Sequence, residues 1–147
     1  MNTRQDDPIT PRIDFRQAVA GHSSLQGKVA CVPGGYGGIG EPVAWALALA
    51  GAKVAVAGRH AAKAQALAAQ LREAGHEALG VAMDAHAVDS IRASVDDVAT
   101  HFGGRLDILM NCAGIQREES LLDVTEEAFD EVLSTAGAAG RRCTFFR

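Results

Sequence analysis

From Lys28 onward, short apolar runs alternate with longer stretches in which apolar residues recur every three or four positions, and glycine or polar residues separate each pair. The runs at 29–32, 54–57, 78–83 and 106–110 predict four strands. Their apolar residues are nearly continuous, the pattern of strands buried on both faces in a parallel sheet covered by helices. An apolar stretch to about Ala50 predicts the first helix, with Gly51 as its C-terminal cap. Ala64, Leu67, Leu71 and Ala74 share one face of a second helix, which Gly75 stops. Val88, Ile91, Val95, Val98 and Phe102 do the same in a third, ended by Gly103 and Gly104. After the fourth strand a further helix is predicted, capped by Thr125, with Glu126 and Glu127 set against the positive end of its dipole. Alternation of this kind predicts an α/β fold built on a doubly wound parallel sheet.

The pattern divides the chain into three parts. Residues 1–24 hold Pro8, Pro11 and scattered charges with no sustained period, and read as an irregular N-terminal arm. Residues 25–135 carry the strands and helices. From Ala136 the segment AGAAGRRCTFFR shows neither a helical face nor a strand alternation, and residues 136–147 read as an atypical tail.

Composition narrows the function classes. Hydrophobic residues at 48% and charged residues at 22% are the proportions of a globular domain. A net charge of −4 leaves no basic face to neutralise phosphates, so nucleic acid is not an expected partner. Cys31, Cys112 and Cys143 are odd in number and widely spaced, which fits neither a disulfide framework nor a zinc site and points to a reducing cytoplasm. His22, His60, His76, His86 and His101 are scattered without metal-ligand spacing. No apolar run is long enough to cross a bilayer and the polar N-terminus does not read as a signal peptide, so neither membrane insertion nor export is expected.

The chemistry concentrates at the end of the first strand. A strand that ends in a glycine-rich turn and opens a helix sets backbone N–H groups and the positive helix end around an anion, usually a phosphate. Between Pro33 and Gly40, Gly35, Gly37 and Gly40 fit GxGxxG, while Gly34, Gly38 and Gly40 fit GxxxGxG. In the second spacing, PGGYGGIG resembles the TGxxxGIG turn of the short-chain dehydrogenase/reductase family. Asn111, Cys112, Ala113 and Gly114 directly follow the fourth strand, where that family carries NNAG. Two motifs in the right order extend the resemblance from about Leu25 to Leu133. Pro33 in place of threonine and Cys112 in place of asparagine are departures that leave the backbone cradle intact, and Cys112 reads as a small buried strand-end residue.

The resemblance implies a Rossmann-type fold ending after the fourth strand and following helix, with residues 25–135 a dinucleotide-binding half-domain. It implies cofactor contacts at Gly34, Tyr36, Gly38, Ile39, Gly40, Asn111, Ala113 and Gly114, and at Asp84, which matches the acidic residue that meets the adenine ring. The parent reaction is hydride transfer between NAD(P)(H) and a secondary alcohol or ketone. Gln116 and Arg117 after Ile115 look like the corresponding loop of sugar-acid dehydrogenases acting on gluconate or deoxygluconate.

Cofactor choice is read from the second strand's end. An acidic residue about 20 positions past the glycine turn would favour NAD. No Asp or Glu lies between Glu41 and Glu73, and Arg59, with Lys63 one turn on, favours the extra phosphate of NADP, NAD remaining possible.

The family's catalytic tyrosine, lysine and serine belong to its second half. Tyr36 is the single tyrosine, and the residue four places on is Gly40. The segment after Val132 reads LSTAGAAGRR where the family has an asparagine. No catalytic residue is therefore assigned, the chain is expected to be inactive alone, and its last residues read as a frameshifted or truncated tail, or else the chain is a natural short form without the second half. The alternative is a non-catalytic nucleotide-binding or interaction module, pairing through the open, apolar edge of the fourth strand as a homo-oligomer or with a longer relative.

Overall fold

In a computed structural model, residues 24–115 and 122–143 are described. They form β1 (Val29–Pro33), α1 (Gly40–Leu49), β2 (Lys53–Gly58), α2 (Ala61–Glu73), β3 (Ala78–Ala82), α3 (Val88–His101), β4 (Ile108–Leu109) and α4 (Glu126–Cys143). The four strands make one parallel sheet in the order β3-β2-β1-β4.

Strand alternation sorts the core into two layers. Ala30, Val32, Val54 and Val56 point to one face and pack against Ala44 and Ala48 of α1 and Ala64, Leu67, Ala68 and Leu71 of α2. Val29, Cys31, Ala55 and Ala57 point to the other, with Val81, Met83, and Ile91 and Val98 of α3. The central strands β1 and β2 are buried almost throughout, as their unbroken apolar runs predict. Small alanines on α1 and α2 let both helices sit close to the sheet.

The predicted helix ends hold. Gly51, Gly75, Gly103 and Gly104 all adopt positive φ directly after the helices they close, a conformation that costs glycine nothing. Thr125 caps α4, its Oγ1 accepting from the Ala128 N–H at 3.2 Å.

Four expectations change. Ala74 is the exposed cap residue of α2, and Ala68, six residues back, is the alanine that joins Leu67 and Leu71 in the core. Val88 is 38% exposed at the first turn of α3, while Ser94 is buried, its hydroxyl bonded back to the Ile91 carbonyl at 2.8 Å. Strand β4 is shorter than 106–110. Its backbone nevertheless follows β1 further, through Asp107 N to Val29 O, Met110 N to Cys31 O and Cys112 N to Pro33 O. Among the described residues it has a neighbour on one side alone, β1, and so makes half the ladder of an inner strand. Finally, the side-chain pattern runs out at Ala136 but the backbone stays helical to Cys143. A helix already nucleated upstream propagates cheaply through alanine, and an occasional glycine weakens it without stopping it.

The arm 1–23, the residues Gln116 and Arg117, and the last four residues of the tail lie outside the described residues.

Candidate nucleotide-binding cleft

The turn from β1 to α1 owes its shape to glycine. Gly34 has φ +74°, and a Cβ there would come within 2.6 Å of the Cys112 carbonyl. The turn thus presses directly on the loop after β4, bringing the two sequence motifs together across 70-odd residues of chain. A Cβ on buried Gly40 would collide with the Gly34 carbonyl oxygen. Gly38 differs: its surroundings are open, with nothing within 4 Å of a would-be Cβ. No contact within the protein requires glycine there, so the space above it suits a group from outside.

The backbone bonds support the same reading. Gly37 N–H donates to Gly34 O at 3.0 Å and Glu41 N–H to Gly37 O at 2.9 Å. Among the described residues no protein acceptor takes the N–H groups of Gly38, Ile39 and Gly40, and Ile39, the N-cap of α1, makes no side-chain cap bond. Three donors without a partner among the described residues, at the positive end of a ten-residue helix, are a set that could cradle an anion.

From this cradle a cleft of about 210 Å³ opens over the C-terminal ends of the strands. Of the residues singled out in the sequence, Gly34, Tyr36, Arg59, Ala113 and Gly114 line it. Gly38, Ile39 and Gly40 are not among the lining residues; they directly follow Gly37, which is, and Ile39 has a 78% exposed side chain. Asn111 lies outside the lining, its Oδ1 accepting from the Ala113 N–H at 3.1 Å and so shaping the loop. Asp84 is outside it too. Its carboxylate accepts from the His86 N–H at 2.9 Å and meets His86 Nδ1 at 3.2 Å, and these contacts, the backbone one foremost, hold its pKa below the ordinary value. Lys63 is exposed and apart from the lining.

Tyr36 joins the turn to β2. Its hydroxyl accepts from the His60 N–H at 3.0 Å, and its ring lies where a Cβ on Gly58 would be, 2.5–2.8 Å away. That close approach requires glycine at position 58. Beside it Arg59 is exposed in the cleft lining, and its charge is among the influences that lower the Asp84 pKa.

Cys112 is half-buried in the cleft wall, and burial pushes its thiol pKa up. A protonated thiol is a weak nucleophile, in keeping with a packing residue.

His86 and Thr135 also line the cleft. Sequence reading treated His86 as one of several scattered histidines and did not single out Thr135. Thr135 belongs to α4, and no local pattern relates it to a loop on the far side of β4.

The chain belongs to the short chain dehydrogenase family, whose model matches residues 28–141. It is 37% identical over 120 residues to the short-chain reductase protein NovJ of Streptomyces niveus, covering 82% of this chain and 45% of that one. It is 40% identical over 130 residues to D-threitol dehydrogenase of Mycolicibacterium smegmatis, covering 88% and 46%. Among solved structures, an actinorhodin polyketide ketoreductase variant crystallised with NADPH superposes with a TM-score of 0.69 at 30% identity, covering 78% of this chain and 45% of that one. The chain thus spans about half the length of the relatives it matches.

Proposed function

We propose that this chain is the nicotinamide-dinucleotide-binding part of a short-chain oxidoreductase, one that moves a hydride between NADP(H) and a secondary alcohol or ketone. The observation that carries the reading is the set of three N–H groups at Gly38, Ile39 and Gly40 that have no partner among the described residues, directly after Gly37 in a cleft lining that also includes Arg59. The pyrophosphate would lie on these donors, and the guanidinium of Arg59 would pair with the ribose 2′-phosphate. Ala113 and Gly114, which approach the turn through Cys112, would border the nicotinamide side. When bound, the cofactor supplies or accepts the hydride. The chain's own residues bind it, orient it along the strand ends, and keep its charged groups in place. The NADPH bound in the polyketide ketoreductase supports this choice of cofactor, as does the absence of an acidic side chain at the end of β2.

A second reading, a nucleotide-binding module without turnover, is favoured by one specific observation. Tyr36, the single tyrosine, spends its hydroxyl on the His60 backbone and has Gly40 four residues on, so it cannot serve as the phenol of a Tyr-x-x-x-Lys pair. Fluorescence titration with NADPH and NADH, followed by assay against small ketones and polyols, separates the readings. Saturable binding that prefers NADPH, with turnover, supports the oxidoreductase; the same binding without turnover supports the module. Failure to bind either nucleotide would remove both.

A further inference from the structure

His86 holds an unusual place at the outer end of the cleft. It follows β3, the edge strand beyond β2, so a ligand with its phosphates on α1 and its ribose at Arg59 runs outward towards it. Both of its ring nitrogens are engaged. Nδ1 faces Asp84 Oδ1 at 3.2 Å, and Nε2 faces Thr135 Oγ1 at 3.2 Å. Thr135 is itself held, its hydroxyl donating to the Glu131 carbonyl at 2.8 Å, and it is only 8% exposed. The imidazole is therefore pinned in its own plane between the β3–α3 loop and α4. Its side chain is nonetheless 43% exposed, and with both nitrogens spent, what it offers the cleft is ring carbon.

We propose that His86 is the stacking surface for the purine base of the bound dinucleotide, fixed in orientation by Asp84 and Thr135. This rests on the nucleotide-binding reading above and goes beyond it. Base recognition moves from the Asp84 carboxylate, which is occupied in holding the loop and stands outside the cleft lining, to the neighbouring imidazole. A pinned ring loses little freedom on binding, and a π-face accepts any purine. The cleft should accordingly be tolerant of the base's exocyclic group.

The test titrates the chain with NADPH and with its hypoxanthine analogue, which carries a carbonyl in place of the adenine amine. The unmodified chain should bind the two within about threefold of each other, and His86→Ala should weaken both by roughly tenfold. His86→Phe keeps a flat ring but neither hydrogen bond, whereas His86→Gln keeps hydrogen-bonding capacity but no ring. Stacking requires Phe to restore most of the affinity and Gln to restore little; a purely structural bridge requires the reverse. Thr135→Val, close in shape, should weaken both nucleotides several-fold by freeing the ring, and it reports even where His86→Ala fails to fold. The proposal is overturned by unchanged affinity in folded His86→Ala, by rescue with Gln instead of Phe, or by a strong preference of the unmodified chain for the adenine form. Absence of NADPH binding by the unmodified chain would instead overturn the nucleotide-binding reading itself, and this inference with it.

Discussion

At the scale of single residues, the cleft depends on places where a side chain cannot be added and places where one must be. Gly34 combines positive φ with contact against the Cys112 carbonyl, so Gly34→Ala strains the backbone and pushes the two loops apart. We expect a loss of roughly 1–3 kcal/mol in urea unfolding and loss of NADPH binding. Arg59 is the opposite case, exposed, with only a weak solvent-screened influence on Asp84 recorded for its charge. Arg59→Ala should leave the unfolding midpoint unchanged, weaken NADPH about tenfold and barely affect NADH, because the guanidinium meets only the extra phosphate. Equal effects on the two nucleotides in a titration would place the 2′-phosphate elsewhere.

At the scale of elements, two contacts attach pieces that have few others. Strand β4 is tied to β1 at its start by Asp107, which accepts from the Val29 N–H at 2.9 Å and from Arg105 at 2.8 Å, with Lys28 at 3.5 Å. The Arg105 bond first, then the Val29 N–H, bring its pKa down from 3.8 to about 2. Because the folded value is the lower one, the stabilisation is present above about pH 4 and drains away as pH falls towards 2. Asp107→Asn should flatten that part of the stability profile, read as unfolding midpoints between pH 4 and pH 2; an unchanged acid limb would mean that another carboxylate governs it. Helix α4 begins with the Thr125 cap, and Thr125→Ala should cost about 1 kcal/mol, measured by thermal unfolding. As α4 carries Thr135, fraying from this end would also loosen the His86 contact.

At the scale of the molecule, the described sheet is asymmetric. On the β3 side, α2 and α3 pack closely; on the β4 side, Leu106 and Met110 stand 36% and 46% exposed beside a backbone with neighbours on one side only. An apolar, half-paired edge invites another strand. Sedimentation of the chain should show concentration-dependent association, and Met110→Lys should reduce it by placing a charge in the edge; association that ignores this change would point to a different surface.

The order of elements, most of their faces and the glycine ends of the first three helices were determined by the sequence alone, because each depends on neighbours a few residues away: period two or 3.6 for burial, positive φ for the glycines that close helices, and a hydroxyl at Thr125 for a cap; the length of β4 and the C-terminal end of α4 were not. The glycine turn and the NCAG loop were legible for the same reason, being contiguous motifs whose backbone geometry is local. Tertiary structure alone decided which distant groups meet. Asp107 reaches Val29 across 78 positions and His86 reaches Thr135 across 49, encounters set by sheet order and helix packing, to which no periodicity in the chain refers. It also decided that Asp84, recognisable by position, turns its carboxylate into the loop while His86 lines the cleft, since a carboxylate two residues before a backbone N–H readily accepts from it and closes a turn.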